Sequence, residues 1–308
     1  MSALNNYREN LMKIPVYPLS RPLALGDKPA FDRVFAELQP RVSELTFAGL
    51  YLFRSAHDYR VTLAGDALVL LGKGYDETPY FLPPLGGDVK RALAMLFSDK
   101  LPLYGADESF AKIYLSEGIM DISEERNSFD YLYLREELAA LPGNRFHKKK
   151  NRINYFTARH QYEVSIYSEQ HCQGCLALLA RWSDVAADES NRSLTLEVGA
   201  TSEALYLAGK LGLEGVVIMS DGTVAAFALG ERLNRETSVC HFEKADPFME
   251  GLSQLINREF AGLMFTDCRF LNREQDLGKP GLRNAKLSYH PVELVKKYLA
   301  AVDRAGEI

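Results

Sequence analysis

One order of apolar patterns runs twice along this chain, once in each half, and few architectures accommodate such a repeat. The second half shows it more clearly. Tyr162–Tyr167 alternates as a strand, and Gln170–Val185 and Ser202–Leu211 carry helical spacing, the latter ending before Gly212. Val216–Met219 and Val224–Glu231 flank Ser220-Asp221-Gly222, a strong hairpin signal. Thr237–Lys244 reads as a third strand. A helix is expected from about Phe248 to Phe265, with Leu252, Leu255, Ile256, Phe260, Leu263 and Met264 on one stripe. Arg269–Arg273 reads as a further strand, followed by a glycine-containing loop, a short helix and the segment Val292–Val302. The first half offers a strand at Ile14–Leu19 and helices at Pro29–Leu38 and Glu44–Ser55. Strands follow at Tyr59–Leu63, Ala67–Gly72 and Tyr80–Leu82, then a helix at Val89–Phe97 and a β-type run at Phe129–Leu134.

The chain is 308 residues long, and at ~150 residues per domain that suggests two domains. The polar stretch Gly143–Arg159 is the expected boundary. It separates an N-terminal unit, 1–142, and a basic linker or helix, 143–160, from a C-terminal unit, 161–308, that carries the functional surface. A hydrophobic content of 47% supplies ample core, and a formal net charge of −5 argues against a protein that coats nucleic acid non-specifically. No apolar run approaches the ~20 residues that span a bilayer. Met1–Ile14 is polar, with Arg8, Glu9 and Lys13, and lacks the pattern of a secretory signal, so a cytoplasmic location is expected. Cys172, Cys175, Cys240 and Cys268 do not make a disulfide framework. Cys172 and Cys175 share a helical face with Leu176, Leu179 and Trp182, as core residues would, and no second pair completes a metal site.

Candidate functional residues gather between Glu231 and Tyr289. Period-two alternation along Thr237–Lys244 puts Val239, His241 and Glu243 on one face, opposite Cys240, Phe242 and Lys244. His241 and Glu243 therefore neighbour each other near the strand's C-terminal end, the edge where α/β sheets usually bind ligands. Arg232, Arg273, Arg283 and Lys286 fall in loops and helix starts on the same edge. They suit a phosphate or carboxylate, or are neutralised by Glu231, Glu274 and Asp276. Asn257 is placed to orient a substrate amide or simply to pack. Lys148, Lys149, Lys150 and Arg152 form the one strongly basic run. Lys148, Asn151 and Arg152 have i, i+3, i+4 spacing, so one face could meet phosphates, or the run is a solvated surface.

The order strand, two helices, three-strand meander, helix, strand, helix, strand is that of the GNAT acyltransferase fold, here expected as two α/β domains in tandem. Longer motifs sharpen this. Tyr131-Leu132-Tyr133-Leu134-Arg135, the run from His147 to Asn154, Gly230-Glu231-Arg232 and the run from His241 to Asp246 occur in order. Ile256-Asn257-Arg258-Glu259-Phe260, Asn272-Arg273-Glu274, Asp276-Leu277-Gly278, Gly281-Leu282-Arg283 and the run from Lys286 to Pro291 follow. Over essentially the whole chain, these motifs resemble the proteins similar to the C-terminal domain of phosphatidylglycerol lysyltransferases, also catalogued as DUF2156. The resemblance implies transfer of an aminoacyl group from tRNA to a lipid headgroup, peptide or small-molecule acceptor. It also implies catalytic places. Glu243 stands where a strand carboxylate acts as base in several GNAT-fold enzymes, and Tyr289 where a tyrosine protonates the leaving group in some. Equally, Glu243 could pair with a lysine or arginine across the sheet, and Tyr289 could be a buried tyrosine with one hydrogen bond. Asp246-Pro247-Phe248-Met249-Glu250-Gly251 replaces the pyrophosphate loop of acetyl-CoA enzymes. Its acidic residues weigh against acyl-CoA, and the expectation is a transferase that moves an aminoacyl group from aminoacyl-tRNA, or another acyl group, onto an amine or hydroxyl acceptor. Two other readings stand beside the transferase: a non-catalytic binding protein for an anionic metabolite or protein partner, and an acyl-CoA-dependent N-acetyltransferase.

Overall fold

The computed structural model describes residues 13–115, 120–186 and 192–302. Most of the polar N-terminal segment discussed above lies outside them. Two compact units divide the chain.

Unit 1 comprises residues up to Asp130 together with Gln275–Gly278 and the C-terminal strand. Its elements are β1 (Arg21–Pro22), α1 (Lys28–Leu38), α2 (Phe47–Leu52), α3 (Arg54–His57), β2 (Arg60–Ala64), β3 (Ala67–Lys73), β4 (Pro79–Phe81), α4 (Val89–Ser98), β5 (Leu103–Asp107), α5 (Glu108–Tyr114) and β6 (Met120–Glu124). The expected strand at Ile14–Leu19 is reduced to one bridge, Val16 with Leu63. Pro15 and Pro18 have no N–H to sustain a ladder. The helix expected from Glu44 starts at Phe47, because Thr46 caps it by accepting from the Gly49 amide at 3.0 Å. Lys297, 0% exposed, is buried among acids: its Nζ donates to both Glu44 oxygens and to Asp130 Oδ1 at 2.7 Å.

Unit 2 contains β7 (Asp130–Leu134, from Tyr131 onward), α6 (Arg135–Ala140), α7 (His147–Thr157), β8 (Tyr162–Ile166), α8 (Cys172–Ala186), α9 (Arg192–Leu211), β9 (Glu214–Ser220), β10 (Thr223–Arg232), β11 (Thr237–Ala245), α10 (Leu252–Leu263), β12 (Phe270–Asn272) and α11 (Pro280–Leu287); β13 (Glu293–Val295) begins at its end, and β14 (Lys297–Val302) returns to unit 1. The hairpin is as expected: Asp221 and Gly222 take φ of 50° and 75°, the left-handed pair a tight β-turn requires. Along α10, Leu252, Leu255, Ile256 and Phe260 are buried, whereas Leu263 is exposed and the helix begins four residues later than expected. The Asp246–Gly251 turn occupies those residues, with Gly251 as N-cap. β12 runs parallel to β11, with α10 as the crossover. Cys172 and Cys175 are buried on α8, with Leu178 rather than Leu176 beside them in the core.

Among the described residues, the sheets run β1-β2-β3-β4-β5-β14-β6 and β13-β7-β12-β11-β10-β9-β8. Each takes a strand from the other half of the sequence: β7 pairs with β12, and β14 pairs with β5 and β6. The run around Lys148, expected as a linker or helix between domains, is a helix within unit 2, because Ile153 and Phe156 bury one side of α7 in that unit's core. No helix among the described residues is long and apolar enough to cross a membrane.

Candidate functional site

Glu243 projects from β11 beside a cleft of about 380 Å³ in unit 2. Arg152, Trp182, Glu243, Asp246, Glu250 and Gln254 line it. Two side chains hold the Glu243 carboxylate. Asn257 Nδ2, from α10, donates to Oε2 at 3.1 Å, and Arg273 Nη2, just past β12, reaches both oxygens at 3.0 and 3.2 Å. The pair retains access to solvent, with side chains 20% and 14% exposed for Glu243 and Arg273. The rim is shaped by Gly251, whose φ of 93° excludes most side chains. A Cβ there would stand 2.0 Å from the Arg152 carbonyl oxygen. That close approach sets the acidic turn against the last turns of α7.

α7 brings the positive charge. Lys149 Nζ lies 3.9 Å from the centroid of the Tyr289 ring and donates to Ser288 Oγ at 2.6 Å. Arg273 lies over the same ring at 5.1 Å and over Tyr133 at 5.9 Å. Partial burial, with the nearby charges of Arg273 and Arg152, lowers the Lys149 ammonium to a pKa of about 8. Burial also raises the Tyr289 phenol above its ordinary range, so it keeps its proton at physiological pH. Burial lowers the acidity of the Tyr133 phenol likewise, and its hydroxyl donates to the Lys286 carbonyl at 2.8 Å. Around Glu243 the arrangement is therefore its carboxylate with Lys149, Arg152 and Arg273 and phenols that remain protonated, while Asp246 and Glu250 add acid to the cleft lining.

His241 occupies a different environment from Glu243. The β10–β11 register shifts between Leu229 and Gly230: Leu229 pairs with Phe242 and Gly230 with Cys240, leaving His241 as the extra residue of a bulge. Gly230 permits it, since a Cβ there would meet the Val239 carbonyl oxygen at 2.1 Å. The bulge breaks the expected alternation, and Cys240 joins the core cluster that contains Ala226 and Ala228. The His241 side chain is 2% exposed, with Nδ1 2.7 Å from Glu274 Oε1 and Nε2 3.0 Å from Glu231 Oε1. Burial alone would lower its pKa, but the hydrogen bonds and charges of the two acids prevail and raise it to about 10. It is a buried imidazolium with both N–H groups engaged.

The remaining expected residues disperse. Arg232 Nη2 donates to both Asp267 carboxylate oxygens, at 2.7 and 2.8 Å. It pairs with Ser238, five residues before Glu243, or roughly 16 Å along the strand. Lys286 donates to the backbone carbonyls of Arg273 and of Glu274, the latter at 3.1 Å, so it braces the segment that presents Arg273. Arg283 stands half-buried on α11, and Lys148 is exposed on α7. Thus Glu243, Asn257, Arg273, Tyr289, Lys149 and Arg152 come together, while Arg232 lies elsewhere. Sequence reading overlooked Trp182 and Gln254 as lining residues. Gln254 had a signal, standing one helical turn before Asn257.

The family described as phosphatidylglycerol lysyltransferase, C-terminal, matches residues 35–301. The chain belongs to this family. A conserved protein of unknown function from Bacteroides thetaiotaomicron is 32% identical to this family member, with a TM-score of 0.85 over 92% of this chain and 99% of that one. The C-terminal domain (DUF2156) of a putative lysylphosphatidylglycerol synthetase from Agrobacterium fabrum has a TM-score of 0.60 at 13% identity, covering 92% and 93% of the two chains. L-PGS from Bacillus licheniformis has a TM-score of 0.56 at 13% identity, covering 83% and 91%. The last two share the fold. An uncharacterized protein of Mycoplasmoides gallisepticum is 22% identical over 178 residues, and the match spans only 57% of either protein. With the topology above, this family member is a mixed α/β protein with two mixed seven-stranded sheets among the described residues.

Proposed function

We propose that unit 2 transfers an aminoacyl group from an aminoacyl-tRNA to an amine or hydroxyl acceptor. The observation that carries this reading is Glu243 and Arg152 at the cleft, with Arg273 paired to Glu243 and Lys149 beside the Tyr289 ring that Arg273 also overlies. Acyl transfer needs a proton acceptor for the nucleophile and cations or donors for the developing oxyanion. In this account the acceptor's nitrogen or oxygen attacks the ester carbonyl carbon, and Glu243 takes its proton. Arg273 meets the oxyanion. The bond from that carbon to the ribose oxygen then breaks, and the ribose oxygen takes up a proton that the Tyr289 phenol delivers. Lys149 and Arg152, on α7, meet phosphates of the donor's acceptor end. His241 is a buried imidazolium, without a lone pair to accept a proton, so its part is to fix the strand rather than to act as base.

The acidic residues Asp246 and Glu250 at the cleft support a donor without a pyrophosphate, in preference to acyl-CoA. The experiment is transfer of labelled amino acid from a charged tRNA pool to lipid, peptide and metabolite acceptors by the purified chain. Transfer to at least one acceptor is expected, and its absence from every tRNA–acceptor combination overturns the reading.

The Glu243–Arg273 ion pair favours one second reading, a binding protein in which Arg273 recognises an anion and Glu243 only orders it. In that case Arg273→Ala removes the cellular phenotype and Glu243→Gln leaves it intact.

A further inference from the structure

Two buried acceptors in unit 2 meet no hydrogen-bond partner among the described residues. Asn257 is 2% exposed, and while its Nδ2 donates to Glu243, its Oδ1 is buried with no hydrogen-bond partner. Turning the amide over would set Oδ1 against the Glu243 carboxylate, so the orientation is fixed by charge. One turn earlier on α10, Gln254 lines the cleft, and its Oε1 is likewise buried and unpartnered. Residues three apart on a helix share a face. Native folds rarely leave buried acceptors unpaired, and two on one face of the same helix point to a donor from outside the chain.

Charge does not choose that guest. Glu243, Asp246 and Glu250 line the cleft with Arg152, while Arg273 pairs with Glu243 and Arg181 stands 3.8 Å from Asp246. The signs nearly balance. What remains is the direction of the hydrogen bonds: the amide and carboxylate oxygens accept, so the guest must donate. Trp182 adds an aromatic wall, which tolerates a cation.

We propose that the cleft receives a primary amino group, and that Gln254, which lines it, selects that group through its N–H donors, with Asn257 one turn further along α10 holding Glu243. Binding stands on these acceptors alone. Only the origin of the amine, as the donor's α-amino group or as the acceptor's nucleophile, rests on the transferase reading.

The test is calorimetric titration of the full chain with L-alaninamide, which resembles an aminoacyl group, and with n-butylamine, which resembles an acceptor. Each is compared with its N-trimethylated counterpart, which keeps the charge and has no N–H. At least one primary amine binds, its trimethylated form binds at least about tenfold more weakly, and Gln254→Met loses about tenfold, as expected for removal of one charge-assisted hydrogen bond. Gln254→Met keeps the side-chain length and leaves the Asn257–Glu243 bond in place, and unchanged unfolding followed by Trp182 fluorescence shows that it folds. Preference for alaninamide assigns the donor, and preference for butylamine the acceptor. Equal binding of the trimethylated form, undiminished binding by Gln254→Met, or no saturation by either amine overturns the proposal. Amine binding without any aminoacyl transfer overturns the transferase reading alone.

Discussion

Replacing His241 with Gln removes a buried cation from between two carboxylates and should be felt as a pH-dependent loss of stability. The imidazole pKa rises from 6.5 to about 10 in the folded chain. At 1.36 kcal/mol per pKa unit, that gap sets a ceiling of about 5 kcal/mol. Breaking a buried pair by removing one partner costs about 3–5 kcal/mol, which agrees. The folded pKa lies above the unfolded one, so the stabilisation is complete below pH 6.5 and disappears as the pH rises through about 10. Urea unfolding followed by tryptophan fluorescence reads this directly, since Trp182 is the single tryptophan and lies in unit 2. Between those two pH values the wild type should lose roughly 3–5 kcal/mol more than His241→Gln. Parallel pH profiles for the two proteins would refute the buried imidazolium.

Three further outcomes follow from the same geometry. Lys149 is charged below its pKa of about 8, so phosphate-dependent transfer should decline as the pH rises through that value, and Lys149→Arg should abolish the decline in a pH–rate profile; an unchanged limb would exclude Lys149. Gly251→Ala places a methyl 2.0 Å from the Arg152 carbonyl oxygen at a φ of 93°, and should cost about 1–3 kcal/mol by strain with a matching drop in transfer; wild-type unfolding and rates would contradict the close approach. Lys297→Met leaves Asp130 and Glu44 without their shared cation and should destabilise unit 1 by about 3–5 kcal/mol, measured by hydrogen exchange of β14 and β5; unaltered protection there would contradict it.

Local periodicity carried much of the fold. The Asp221-Gly222 hairpin and the apolar stripe of α10 could both be read from spacing, because each depends on residues close in sequence. The bulge at His241 could not be read from alternation. Its cue was Gly230 inside a strand, and its cause is a backbone approach that only the partner strand reveals. For α7, helical spacing suggested Lys148, Asn151 and Arg152 as one face, whereas Lys149 and Arg152 reach the site. Burial of Ile153 and Phe156 fixes the helix rotation, and that depends on unit 2's core. Arg232 was diverted by Asp267, a partner 35 residues away. The strand exchange that places β7 beside β12 and β14 beside β5 depends on pairings too distant for any local signal.

The most direct measurement is single-turnover transfer of a labelled amino acid from charged tRNA, comparing wild type with Glu243→Gln, alongside tRNA binding by both. The account predicts that Glu243→Gln binds charged tRNA as the wild type does and transfers at least about a hundredfold more slowly, the usual contribution of a general base. Equal transfer rates for the two proteins would contradict it.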